Sequence, residues 1–377
     1  MQAIKIWIKW IGLFCIFLQS CVYEYNPELN KYSDLLVVYG MITNEKGPHE
    51  IMLTRTTSVY GNNGKVETNA NVTILDDQGN SITLVEKTKG KYQTPDNFAG
   101  IVGNSYKLSI TISDGKHYES DFVKLIDVPA IKVVTSEFKT KLNTKTGDEL
   151  KGYQFYIDVD GSATEQKYYR WEMEETWEIE MPYNINYYWN GDTLVDMTFP
   201  KRCWRYGKVN EMYIANTQEY QSNSIKNLPL NFTTTETERL SVKYRLSVNQ
   251  YALSEKSYFF WKGQVENTQQ QGSLYDKQPY QVVGNIKSID NSNEIVLGIF
   301  EASAVSSKQI FVKRPNIFVP FGFETCVSTP LSNLTDLEKR RPYYASFTIM
   351  DSIVVTNKQC VDCKATGSIP TMPENWE

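Results

Sequence analysis

From Leu35 onward, apolar and polar residues alternate with a period of two in short runs separated by turn-forming residues, the pattern of half-buried β-strands. "LLVVYGMIT" (35–43) and "HEIMLTRT" (49–56) flank the turn "NEKGP". In "NVTILDDQGNSITLVE" (71–86), Val72, Ile74, Ile82 and Leu84 share one face around Gln78-Gly79. In "SYKLSITISDGKHYES" (105–120), Tyr106, Leu108, Ile110 and Ile112 do the same around Asp114-Gly115. A glycine at such a turn supplies the left-handed backbone that a tight hairpin requires. Strands this short and this closely spaced predict an Ig-like or transthyretin-like β-sandwich over residues 35–128, closing near Pro129.

The strongest alternation lies further on, in "YRWEMEETWEIEM" (169–181). Trp171, Met173, Trp177, Ile179 and Met181 predict a core face, and Arg170, Glu172, Glu174, Glu178 and Glu180 a wet, acidic one. The following "PYNINYYWNGD" (182–192) reads as a loop presenting Tyr183, Tyr187, Tyr188 and Trp189. One helix is expected from Ser254 as N-cap, with Tyr258, Trp261 and Val265 at helical spacing. A last hairpin, "QVVGNIKSIDNSNEIVLGIFEAS" (281–303), turns at "DNSN". The whole is a mainly β chain in which residues 129–377 form a larger β-rich domain with one or two helices.

The start of the chain follows a different rule. "MQAIKIWIK" carries Lys5 and Lys9 without an acid, and the apolar run from Trp10 to Leu18 is shorter than the roughly 20 residues a membrane span needs. This is an export signal, expected over residues 1–20. The "LQSC" at its end resembles the lipobox of bacterial lipoproteins, with Gln19 departing from the pattern, and makes Cys21 the expected lipidation site. At about 0.8 kcal/mol per buried CH₂, two or three acyl chains would hold the protein for practical purposes permanently. Residues 21–34 then read as the lipidated cysteine and a polar tether. An outer-membrane lipid anchor is the expected localisation, with the cell-surface and periplasmic faces both open.

Composition narrows the function class. The formal charge of -5 becomes -7 once Lys5 and Lys9 leave with the signal (-5 - 2), and no basic block occurs, which argues against nucleic acid and against electrostatic attachment to anionic lipid. Removing Cys15 and Cys21 leaves Cys203, Cys326, Cys360 and Cys363, an even number in an exported chain, and two disulfides are expected. A bond inside "CVDC" closes a small, strained ring, so the preferred pairings join Cys203 and Cys326 each to one member of it, clamping the tail; four cysteines allow three pairings. A four-thiolate zinc site is disfavoured because only one Cys-x-x-Cys is present, and no metal or cofactor is expected beyond the lipid on Cys21.

Catalytic patterns are weak. The two histidines, His49 and His117, lie beside turns without triad or zinc spacing. "SDGK" (113–116) matches a nucleophilic Ser-x-x-Lys by spacing, but sits in a hairpin rather than on a helical turn. Glu172 with Glu174, or Glu178 with Glu180, would lie about 7 Å apart along one strand face, a separation seen in inverting glycosidases but also on any acidic strand. "DVDG" (158–161) and "DNSNE" (290–294) lack the full spacing of a calcium loop. No catalytic residue is assigned. The aromatic segment Tyr183, Tyr187, Tyr188 and Trp189 is the candidate binding surface, for a glycan or peptide ligand or a protein partner, unless its rings fold back over the sheet.

These segments together resemble a known family, the outer-membrane lipoproteins of Bacteroidota grouped as domain of unknown function 4249. The residues that carry the resemblance are Cys21, "LLVVYGMIT", the 72–95 run into "GNSYKLSITISDGKHYES", "YRLSVNQYALSEKSYFFWKGQ" with "VVGNIKSIDNSNEIVLGIFEAS", and the ending "CVDCKATGSIPTMPENW". The resemblance implies a lipid-anchored companion of a TonB-dependent transporter, with an N-terminal sandwich similar to carboxypeptidase regulatory domains and no shared catalytic residues to carry over. The expected function is therefore a non-enzymatic ligand-binding or gating companion in nutrient uptake. A glycan-active hydrolase and an outer-membrane assembly scaffold are the alternatives.

Overall fold

The computed structural model describes residues 34–57, 64–143, 146–219, 222–269, 281–323, 325–347 and 352–376. The expected signal peptide, Cys21 and all but the last residue of the tether lie outside them. Among the described residues no helix is long and apolar enough to cross a membrane.

The alternation at the N-terminal end builds two facing sheets. One runs in the order Leu297–Ser303, Leu36–Thr43, Glu50–Arg55, Lys91–Gln93, Val85–Thr88; the other runs Ile286–Ser288, His117–Ser120, Ser105–Thr111, Asn71–Asp76, Ser81–Thr83. Leu36, Val38, Ile51 and Leu53 from the first meet Val72, Ile74, Leu108 and Ile110 from the second in one buried cluster. Both hairpins form as the turn residues require, with Gly115 of "SDGK" at φ +90°.

The sheets do not follow a division at residue 129. Residues 281–303 form no hairpin with each other: Ile286–Ser288 joins one sheet of this sandwich and Leu297–Ser303 the other, the latter parallel to Leu36–Thr43 from Val37↔Leu297 to Thr43↔Ser303. Gly298 makes the close approach feasible, because at φ +93° any Cβ there would fall 1.8 Å from the Val38 carbonyl oxygen. Beside it the Asn285 side chain stands in for a further strand, accepting from Phe300 N–H (2.9 Å) and donating to Phe300 C=O (2.8 Å). That caps an otherwise open sheet edge.

A second sandwich follows. Its smaller sheet runs Ile131–Leu142, Glu149–Val159, Ile225–Thr234; its larger runs Arg202–Lys208, Tyr168–Glu180, Lys243–Ala252, Val305–Lys313, with Tyr213–Asn216 also on Tyr168–Glu180. Phe155 and Ile157 pack against Trp171, Met173, Leu246 and Val248 between them. A third, smaller sheet in the order Leu194–Asp196, Tyr187–Trp189, Tyr343–Phe347, Ile353–Thr356, Thr329–Pro330 caps the far end. Two disulfides, Cys203–Cys363 and Cys326–Cys360, tie this cap and the C-terminal tail to the second sandwich.

The strand Tyr168–Glu180 departs from simple alternation. Its core face carries Glu175, neutralised by Arg239 at 3.1 Å and by a hydrogen bond from Tyr244 Oη at 2.8 Å. Its other face is not uniformly wet: Arg170 and Glu178 are buried, Glu172 and Glu180 half-buried, and Glu174 exposed. The first sandwich and a helix cover one end of this face, and the tail, through Trp376, covers the other. Among the described residues only the middle stays open.

The helix, Glu255–Gln269, starts as the cap predicts, with Ser254 Oγ accepting from Ser257 N–H at 3.1 Å. Its Tyr258, Phe260 and Trp261 pack with Tyr168, Leu253 and Ile299 where the two sandwiches meet. Lys256 and, from the first sandwich, Lys287 converge on Asp121 at 2.5 and 2.7 Å, a further tie between helix and sandwich. A second helix, Asp336–Lys339, is a single turn closed by a capping box between Thr335 and Glu338.

Candidate cleft between the two sandwiches

The covered end of Tyr168–Glu180 is organised around Arg170, which is 1% exposed. Its guanidinium lies 2.8 Å from Glu172 Oε1 and 3.2 Å from Glu301 Oε2, donates to Tyr39 Oη at 3.3 Å, and stands 4.5 Å from the Trp261 ring centroid. Trp261 Nε1–H donates to Glu301 Oε1 at 3.0 Å, and its ring meets Tyr39 edge-on at 5.7 Å. Tyr39 and Glu301 belong to the first sandwich, Arg170 and Glu172 to the second, and Trp261 to the helix. One side chain therefore joins all three.

Electrostatics fits this geometry. Burial works against a charged guanidinium, yet Glu301 and Glu172 outweigh it and hold Arg170 above its ordinary value. Burial likewise raises Tyr39, with the Arg170 charge opposing. Two carboxylates share one guanidinium, so this corner carries one negative charge in excess.

Above the network lies a two-part cleft. The wider part, about 730 Å³, is walled by Val37, Leu297, Met212, Phe260, Val265 and Val282, with Gln264 and Asn267 at its polar side. The narrower part, about 420 Å³, lies over the open middle of Tyr168–Glu180, between Glu172, Glu174, Lys208 and Asn249, and reaches Arg170. Tyr39, Asn210, Glu211, Met212 and Trp261 line both parts, which makes them neighbours. Volumes of this size suit a small organic ligand or a few residues of peptide.

The aromatic segment is elsewhere. Tyr187–Trp189 is a strand with neighbours on both sides in the cap sheet rather than a projecting loop. Tyr183 Oη donates to the Cys326 carbonyl at 3.1 Å, Trp189 Nε1–H to the Lys339 carbonyl at 2.6 Å, and Tyr188 packs on Tyr344 at 5.5 Å between centroids. All four rings, Tyr187 included, are half-buried, so the segment in large part folds back on the cap. Of the two carboxylate pairs, Glu178–Glu180 is obstructed, because Glu178 lies beneath Trp376 and accepts from its Nε1–H at 3.2 Å. Glu172 and Glu174 do open into the cleft. The four cysteines form the two bonds preferred from the sequence, Cys203 and Cys326 each pairing with one member of "CVDC".

Sequence reasoning missed the cleft because its walls come from seven separate segments. The alternation placed Arg170 on a solvated face, and the helical spacing marked Trp261 only as core. The one local signal was an arginine, Arg170, heading a run of glutamates on a single strand face.

Comparison with known proteins adds a family. No curated protein matches the chain. Among solved structures, a segment of two fibronectin type-III domains from chicken tenascin aligns at 11% identity over 59% of this chain and 91% of that one, with a TM-score of 0.14. The family match takes in the first sandwich, the second as far as the middle of Val305–Lys313, and the cap strands Tyr187–Trp189 and Leu194–Asp196, and stops ahead of the later cap strands and the C-terminal tail. The chain belongs to the family described as Domain of unknown function (DUF4249), whose family model matches residues 22–309.

Proposed function

We propose that this chain is a non-enzymatic, lipid-anchored binding protein of the outer membrane, which holds a ligand in the cleft between its two sandwiches beside a TonB-dependent transporter. The observation that carries the binding reading is the cleft itself. Its walls come from both sandwiches and the helix, its wide half is apolar, its narrow half polar, and the Arg170 network fixes the floor where the two halves meet. A floor locked by ion pairs and ring contacts keeps the site preformed, which lowers the ordering cost of binding.

The export signal, the "LQSC" sequence and the family support the anchor and the transporter partnership. The hydrolase alternative would rest on Glu172 and Glu174. Glu172 is engaged by Arg170 at 2.8 Å and Glu174 is exposed, so neither has the burial that keeps a general acid protonated.

Purifying the tagged chain from its own outer membrane in mild detergent, then identifying co-purifying proteins by mass spectrometry, tests the partnership. A stoichiometric TonB-dependent barrel is the expected result. A chain recovered alone, or with assembly factors only, contradicts it.

A further inference from the structure

The charge and shape of the cleft select among ligands. Among the described residues, three carboxylates line its narrow half, Glu172, Glu174 and Glu211, against one accessible ammonium, Lys208. Lys208 stands directly across the strand pair from Glu174 and offsets it. Arg170 adds no accessible positive charge, being buried and already shared between Glu172 and Glu301. From the other elements, Asn210 and Asn249 bring neutral amides and Tyr39 and Trp261 bring uncharged rings. The balance is negative, and the partly enclosed setting strengthens it relative to open water.

The wide half calls for the opposite chemistry. Val37, Leu297, Met212, Val265 and Val282 form an aliphatic wall completed by the Phe260 and Trp261 rings. Aliphatic surface of this kind rewards an apolar body rather than a hydroxyl-covered one.

We infer that the cleft binds amphipathic cations, with the apolar part against Met212 and Leu297 and the positive group among Glu172, Glu174 and Glu211. Alkyl amines and basic peptides with apolar side chains share this chemistry. The inference rests on the cleft being the binding site, as proposed above.

Calorimetric titration of the full chain carrying Cys21→Ser tests it, with four probes: octylammonium, octanoate, octyl glucoside, and the amide of the tripeptide Leu-Leu-Lys. The two cationic probes should bind about tenfold more tightly than octanoate and octyl glucoside, and more weakly as salt rises. Glu174→Gln should weaken cation binding about threefold and leave octyl glucoside unchanged. Met212→Trp, which fills the wide half, should abolish binding of either cation. The tighter of the two cations identifies a peptide or a small amine as the preferred source. Octanoate or octyl glucoside binding as tightly as the cations, and lost in Met212→Trp, overturns the cation inference while the cleft stands. Cation binding untouched by Met212→Trp, or no binding by any probe, overturns the cleft reading as well.

Discussion

Arg170 Nη2 lies 3.2 Å from Glu301 Oε2, with each side chain only 2% exposed. The pair joins the second sandwich to the first. The contact is Coulombic rather than a well-aligned hydrogen bond, since Glu301 Oε2 receives no donor among the described residues. Removing one partner leaves a buried, uncompensated charge, so Arg170→Ala should cost about 3–5 kcal/mol in chemical denaturation. The double variant Arg170→Met, Glu301→Leu should recover most of that loss, because an apolar replacement of a buried pair is often neutral. A single variant that costs nothing would mean that the sandwiches are held together by other contacts.

Trp376 is a second fastening. Its indole donates to Glu178, meets Trp204 and Phe311 edge-on at 6.3 and 5.4 Å between centroids, and lies under the Arg245 guanidinium at 5.5 Å. Trp376→Ala should destabilise the chain by about 3 kcal/mol, within the range for removing a buried aromatic ring. Equilibrium unfolding in guanidinium gives the value, and a loss below about 1 kcal/mol would show that the tail is not part of the folded core.

Much of this architecture was legible along the chain and some was not. Period-two runs predicted the strands around Gly79 and Gly115, and the Ser254 cap predicted the helix, because each depends on neighbours within a few residues. The pairing of Val37 with Leu297 spans the sequence and leaves no local mark, so local patterning does not place the two late strands in the first sandwich. Arg170 and Glu178 looked wet because alternation reports which face a residue takes, not what later covers that face. Local patterning marks Tyr187–Trp189 as a loop for the same reason: its partner strand, Tyr343–Phe347, arrives about 150 residues later.

The cap should depend on oxidation. Cys203–Cys363 joins residues 160 apart in sequence, and its loss should cost about 2–5 kcal/mol. Cys363→Ser is expected to lower the midpoint of thermal unfolding and to raise the rate at which protease cleaves the C-terminal tail. Wild-type cleavage kinetics in that variant would show that the Cys326–Cys360 bond and the non-covalent contacts of the tail hold it without this disulfide.

Stability should fall on mild acidification through His49. Burial lowers its pKa below the ordinary 6.5, with the backbone carbonyls of Glu45 and Phe98 opposing. A histidine whose folded pKa is depressed binds its proton more readily when unfolded. Its contribution is complete above about pH 6.5 and is lost as pH falls from there toward the folded value. Denaturation midpoints taken from pH 7.5 down to 5.5 should decline, and His49→Gln should flatten the slope. An identical slope in the variant would assign the effect to other groups.

The location of the binding site is the central claim, and fluorine NMR reaches it directly. The full chain with Cys21→Ser is labelled with 5-fluorotryptophan, the Trp189 and Trp261 resonances are assigned from Trp189→Phe and Trp261→Phe, and octylammonium and octyl glucoside are titrated in turn. Trp261, on the wall shared by both halves of the cleft, should shift in a saturable way while Trp189 in the cap stays in place. A saturable shift of Trp189 with Trp261 unmoved would put the binding surface on the aromatic strand and contradict the account.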